Sequence, residues 1–252
     1  MPSVADQGNA DLFFAQGNYP AIQNVKGFGV DAVWAANFGL KRIAYEGGQS
    51  LDGYTDAHAQ TINADPRMQD MVVKTHDAWS SQGGDLLMYY TLRGPAAWEF
   101  TPDITTTNTP KFNGLVQLQA QPRAAVTLGQ QLPGTIIATD QIDYKIRAGY
   151  DYATTVDGLP CIGGNPAGTW IALPGHTSSA FSGSIVVNAQ AASATTINIW
   201  VNGMNKGPVT LAAGSHLANS SSLSGVAIPA GLVVIRLQIV SGGISLRSIT
   251  VG

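Results

Sequence analysis

Glu46 and Glu99 are the two glutamates among the 16 acidic residues of this 252-residue chain, and they are its first candidates for carboxylate chemistry. Glu46 ends the apolar run of "KRIAYEGGQS" (residues 41–50), with Gly47 and Gly48 directly behind it. Glycines let the backbone turn sharply and leave a carboxylate facing an open site. Parallel α/β sheets and barrels gather their functional groups at such strand ends. The same residues also read as a strand-end carboxylate that is solvated or paired with Lys41 or Arg42. Glu99, in "AAWEF", is the second carboxyl that could face the same opening, or else a rim or salt-bridge residue.

Other chemistries find less support. His58, His76, His176 and His216 show no metal-ligand spacing, and no nucleophile elbow anchors a Ser-His-Asp triad, so no metal site is expected from motifs. The single cysteine, Cys161, excludes an intramolecular disulfide and a zinc site built on several thiolates. A net charge of −3 with no Lys/Arg cluster gives phosphates nothing to bind, which argues against a nucleic-acid partner. No run approaches the roughly 18 apolar residues of a membrane span, and "MPSVADQGNADLFF" lacks the basic start and apolar core of a signal peptide. No membrane partner is expected.

The elements that must position these residues change character along the chain. Up to residue 120 there are 12 Asp/Glu and 7 Lys/Arg, and beyond it 4 and 6. In the first part, "GVDAVWAANFGL" (29–40) has helical spacing and stops at Gly39, with Trp34 expected in the core. "KRIAYEG" reads as a short buried strand. In "ADPRMQDMVVKTHDAWSSQGG", Asp65 caps, Pro66 takes the first helical position, and Met68, Met71, Val72, Thr75 and Trp79 form one apolar face. "DLLMYYTL" (85–92) is a second strand, and Thr109 and Pro110 open another helix. Alternation of this kind predicts an α/β layer with parallel strands, an open sheet or part of a barrel.

From about residue 121 the period drops to two. "SGSIVVNAQ", "TTINIWVNG", "GPVTLAAG", "LSGVAIPAG", "LVVIRLQIV" and "ISLRSITVG" are β-branched runs between turn residues, the rhythm of an all-β sandwich that needs no helix. Asn202 and Gly203 sit where a hairpin wants positive φ. A 44% hydrophobic content supports a core in both halves, and the low 12% charge is a common profile of secreted β-rich proteins.

Several spaced matches in the first half together resemble a known family. They are "YEGGQ" at the strand end, "ADPRM", the Trp-then-Gly-Gly helix end, "DLLMYY", Trp98 with polar residues after it, and "TPKF". Over about residues 8 to 118 the chain resembles the C-terminal part of bacterial glycoside hydrolase-like proteins, often labelled cellulose-binding, with a (β/α)8 barrel. The resemblance implies that Glu46 is the nucleophile of a retaining β-glycan hydrolase, at the end of the seventh strand, and that "DLLMYYTL" is the eighth. Such enzymes need a second carboxyl about 5 to 5.5 Å away. The resemblance places it on the fourth strand, upstream of Met1, so a preceding segment or a second chain would have to complete the barrel. As an isolated chain the protein is expected to be inactive.

With a polysaccharide as the implied partner, Tyr45, Tyr90 and Trp98 become candidates to stack on the C–H face of a sugar, and Gln49 a hydroxyl partner. Tyr89 or Tyr90 must point inward in a strand. The second half resembles β-sandwich carbohydrate-binding modules. The resemblance implies a site of loop aromatics and polar groups, for which Tyr150, Asp151, Tyr152, Asp157 and Trp170 are the candidates, and a structural calcium. No other cofactor is implied. Trp200 reads as core or as a flat-face platform. The expected fold class is multidomain, α/β then all-β: a partial (β/α)8-barrel-like segment over residues 1–120 and an antiparallel, jelly-roll-like β-sandwich over 121–252. Two functions follow, a hydrolase-like protein centred on Glu46 or a non-catalytic carbohydrate-binding module, with a structural or adhesive sandwich as a third reading. The resemblance also implies an extracellular location.

Overall fold

The computed structural model describes residues 9–15 and 25–252. The readings made on residues 1–8 and 16–24 lie outside them. Contacts divide the chain into two compact units, Met1–Val25 with Ile43–Ala124 and Lys26–Arg42 with Ala125–Gly252.

The first unit contains α1 (Ala10–Ala15), β1 (Ala44–Gly47), α3 (Asp56–Asn63), α4 (Arg67–Ser81), β2 (Leu87–Tyr89) and α5 (Pro110–Ala120). β1 and β2 pair in parallel, Ala44 opposite Leu87 and Gly47 opposite Tyr89. Parallel strands need a long crossover, and α3 and α4 supply it. In α4 the expected apolar face is buried throughout: Met68, Met71, Val72, Thr75 and Trp79. Asp65 accepts the amide of Arg67 at 2.9 Å, so the helix starts one residue after Pro66. Thr109 caps α5 by accepting from the Phe112 amide. Phe13, Phe14, Leu51, Ile62, Met68 and Met71 form the core of the unit.

α4 and α5 approach closely at Gly114, where a Cβ would stand 2.8 Å from Val72 Cβ and 3.0 Å from the Gln69 carbonyl oxygen. Backbone cannot give way as a side chain can. Gly114→Val is expected to cost about 1–3 kcal/mol by overpacking and to lower the helical melting midpoint by several degrees, as circular dichroism would show. An unchanged midpoint would mean that the helices are not in contact there.

The expectation of a barrel segment is corrected in extent: among the described residues this unit has two strands, and no (β/α)8 barrel is formed. Nor are the strands buried. Tyr45 is 76% exposed, and Ile43, Leu86, Met88, Tyr90 and Leu92 are exposed too. Within the strands, alternation puts Tyr45 and Met88 on the face turned away from Ala44, Leu87 and Tyr89. Among the described residues, the side that carries Tyr45 and Met88 is exposed.

In the second unit two antiparallel sheets enclose the largest core. The strands are β3 (Gln130–Gln131), β4 (Gly134–Ile137), β5 (Ile146–Ala148), β6 (Tyr152–Val156), β7 (Leu159–Pro166), β8 (Trp170–Thr177), β9 (Phe181–Gln190), β10 (Thr195–Val201), β11 (Met204–Leu211), β12 (Ala218–Asn219), β13 (Leu223–Ile228), β14 (Gly231–Ser241) and β15 (Gly243–Val251). One sheet runs β11-β10-β14-β8-β3, with β5 also on β8; the other runs β12-β9-β15-β7-β6, with β13 on β9 and β4 on β15. A single parallel pairing, β3 on β8, interrupts the antiparallel pattern. Asn202 (φ 45°) and Gly203 (φ 77°) form the expected turn between β10 and β11.

α2 (Val25–Asn37) belongs almost wholly to this unit, contrary to its expected place in the α/β half. Ala32 and Val33 pack with Leu128, Ile146, Ala172 and Val234. That face of the six-stranded sheet is apolar enough to need cover, and small helix residues let the backbones approach. Trp34 is accordingly not a core residue and is 41% exposed.

Candidate functional site

The first unit gathers the hydrolase candidates at the carboxyl ends of β1 and β2. The Tyr90 amide donates to the Gly47 carbonyl at 2.8 Å, and Gly48 has φ 123°, so the chain bends as "EGG" requires. Glu46 is exposed and makes no hydrogen bond or ion pair with a described residue. Tyr90 and Trp98 meet edge to face at 5.9 Å, and the Trp98 indole donates to Asp52 at 3.0 Å. Gln49 is buried, its amide nitrogen donating to Thr75 at 3.1 Å, so it faces the core. Tyr89 takes the inward position, 3.0 Å from His76 Nδ1. Burial raises the Tyr89 phenol pKa and lowers that of His76. Both are neutral near pH 7 and serve packing.

Glu99 lines a different opening. A pocket of about 360 Å³ is walled by Gln60, Asn63, Glu99, Phe100, Thr101 and Thr109 among others, and Glu46 is not part of it. Beside it lies Lys111, fully buried, with Nζ 3.5 Å from the Trp98 carbonyl oxygen and 5.5 Å from the Phe100 ring centre. Burial pushes this amine down to about 8, and Glu99 nearby opposes the shift. Sequence reading passed over Lys111 because "TPKF" registers only as a helix start.

In the sandwich unit the five expected residues part company. Tyr150 is 88% and Tyr152 60% exposed, and the Tyr152 ring lies against Gly163, where a Cβ would meet it at 2.7 Å. Asp151 is held by Lys145 and, at 2.9 Å, by Arg147 Nε. Asp157 sits at the other end of β6 in a positive-φ turn, accepting from the Leu217 amide at 2.7 Å and bonded to His216 at 2.6 Å. The Leu217 amide first, then His216, holds its carboxyl below the usual range. Among the described residues no three His, Cys, Asp or Glu side chains gather to hold a metal.

Trp170 instead joins a group on the outward face of the six-stranded sheet. Side chains alternate along β10, so Ile197, Ile199 and Val201 enter the core while Asn198 and Trp200 face out. Register then builds two rows: Trp200 opposite Arg236 opposite Ala172, and Asn198 opposite Gln238 opposite Trp170. The Arg236 guanidinium lies 4.1 Å from the Trp200 ring centre. Trp34 and Phe38 of the helix segment stack on each other at 6.2 Å and meet Trp170 edge-on at 5.8 and 6.2 Å. The amides of Asn198 and Gln238 are partly exposed and make no side-chain hydrogen bond to a described residue. Trp200 is thus half-buried and points away from the sandwich core. Arg236, Gln238 and Asn198 were missed, although alternation in "INIWVNG" and "VVIRLQIV" marks all three as facing one way.

No protein family matches the chain, and no curated protein does. Among solved structures, the carbohydrate-binding module CsCBM6-3 from Clostridium stercorarium, solved with cellobiose, is 17% identical with a TM-score of 0.42, covering 50% of this chain and 98% of that one. A β-1,3-glucan-binding module from Bacillus halodurans is 18% identical, TM-score 0.41, over 49% of this chain and 98% of that one. The exo-β-1,3-galactanase of Phanerochaete chrysosporium gives 14% and 0.39, over 50% of this chain and 30% of that one. By its own strand pairing, the unit that closes this chain is a two-sheet, mainly antiparallel β-sandwich.

Proposed function

We propose that the chain binds carbohydrate without hydrolysing it, through the part of the outward face of the six-stranded sheet that carries the partly exposed Asn198, Trp200 and Gln238. One observation carries the reading: Trp170 and Trp200 share that face with Asn198 and Gln238, whose side-chain amides make no hydrogen bond to a described residue. A pyranose presents C–H bonds to an aromatic plane and hydroxyls to its rim, and an amide offers both a donor and an acceptor to those hydroxyls. The exposed Tyr150 and Tyr152 are a second, smaller aromatic surface of the same unit.

The hydrolytic alternative keeps Glu46 as nucleophile, exposed where a parallel strand ends. A retaining site needs its second carboxyl at about 5 to 5.5 Å, and Glu46 does not line the pocket that Glu99 does. The chain incubated with soluble and insoluble β-glucans is expected to be retained on the glycan and to release no reducing ends, with Glu46→Gln behaving as the parent does. Release abolished by Glu46→Gln would establish the hydrolase instead. Failure to bind any glycan would leave the sandwich a structural or adhesive domain.

A further inference from the structure

Arg236 is a nearly buried cation without a counter-charge among the described residues. Only 9% exposed, it has its guanidinium carbon 4.1 Å from the Trp200 ring centre, 5.8 Å from that of Trp170 and 5.9 Å from that of Phe38. Its Nε is buried with no hydrogen-bond partner. Among the described residues no carboxylate pairs with it, whereas Arg42 and Arg147 of the same unit have Asp31 and Asp151. Cation–π contact offsets part of the cost of burying the charge but satisfies no N–H group. The indole Nε1 of Trp200 is a second buried donor without a partner.

A guanidinium with no carboxylate partner among the described residues, set among aromatic rings on a face that also carries the amides of Asn198 and Gln238, calls for a negatively charged acceptor attached to something flat. We infer that this face takes an acidic sugar: the pyranose of a uronic acid residue lies against the aromatic side chains and its carboxylate pairs with the Arg236 guanidinium. The planar fork of an arginine matches a carboxylate with two parallel hydrogen bonds. Strand neighbours across the face are neutral, Trp200, Ala172, Asn198 and Gln238. One cation suits the single charge of a carboxylate better than a dianionic phosphate. The inference rests on the glycan-binding reading and names the substrate class of that site.

The test compares ligands that share one backbone. Titration calorimetry of the full chain against cello-oligosaccharides, their C6-oxidised glucuronic acid counterparts and sulfated ones should show the oxidised series binding about tenfold tighter at low salt, an advantage that added salt shrinks. Arg236→Met should erase the advantage of the oxidised series over the neutral one. Arg236→Lys keeps the charge without the fork and should retain part of it, and the ligand comparison on the parent chain decides the matter even if both variants fail to fold. Equal affinity for neutral and oxidised sugars overturns the inference while the glycan-binding reading stands. Sulfated sugars binding as tightly as oxidised ones would overturn the carboxylate assignment. No binding to any of the three sinks that reading, and this inference with it.

Discussion

Trp200→Ala is expected to weaken glycan binding by roughly ten- to a hundred-fold, and Trp170→Ala by a similar factor, since truncating a central aromatic anchor costs about 2 kcal/mol or more. Both rings belong to one face, on strands that flank β14, and each also holds a neighbour in place. Arg236 stacks on Trp200, while the Trp34 and Phe38 rings meet Trp170 edge-on. Loss of Trp200 therefore removes a stacking surface and frees the guanidinium. A structural role alone would lower the melting temperature and leave the affinity of the folded fraction unchanged. Calorimetry on the folded variants beside a thermal melt separates the two, and full affinity in Trp200→Ala would move the site elsewhere, to Tyr150 and Tyr152 first.

Lys111→Met is expected to stabilise the first unit by up to about 3 kcal/mol at pH 7, the free-energy equivalent of the difference between 10.5 and about 8. The amine is fully buried, has a long hydrogen bond to the Trp98 carbonyl, and forms no ion pair among the described residues. The folded form holds its proton less tightly than the unfolded form does, so below about pH 8 both are protonated and folding bears the whole cost of the buried charge. Between pH 8 and 10.5 the unfolded chain binds more protons, and stability rises with pH. The advantage of the methionine variant should accordingly be largest at pH 7 and fade towards pH 10. Melts followed at 222 nm across that range check both the sign and the window. A variant less stable than the parent at every pH would show that Lys111 is stabilised by a partner and not penalised by burial.

Much of the local structure is legible in the sequence, because helices and turns are written in contacts a few residues apart. The spacing of Met68, Met71, Val72, Thr75 and Trp79 sets the buried face of α4, and Asn202-Gly203 sets the β10–β11 turn. Strand alternation likewise sorts Asn198 and Trp200 from Ile197 and Ile199. The candidate site was legible only in fragments. Trp170 was placed with Asp151 and Asp157 because they are close in sequence, yet those aspartates are occupied by Lys145, Arg147, His216 and the Leu217 amide.

What the chain determines by itself is period, and hence element type, turn position and which residues share a face of one element. What only the tertiary structure decided is which faces meet. The row Trp200, Arg236 and Ala172 joins three strands brought together by pairing register, and α2 covers the sandwich although a helix of the same pattern would suit the α/β half. Backbone hydrogen bonding within an element repeats locally, but the choice of strand partner and of helix berth is made by burial between residues far apart in sequence. Glu46 shows the same division: its strand end was readable, and that Glu99 lines a pocket to which Glu46 does not belong was not.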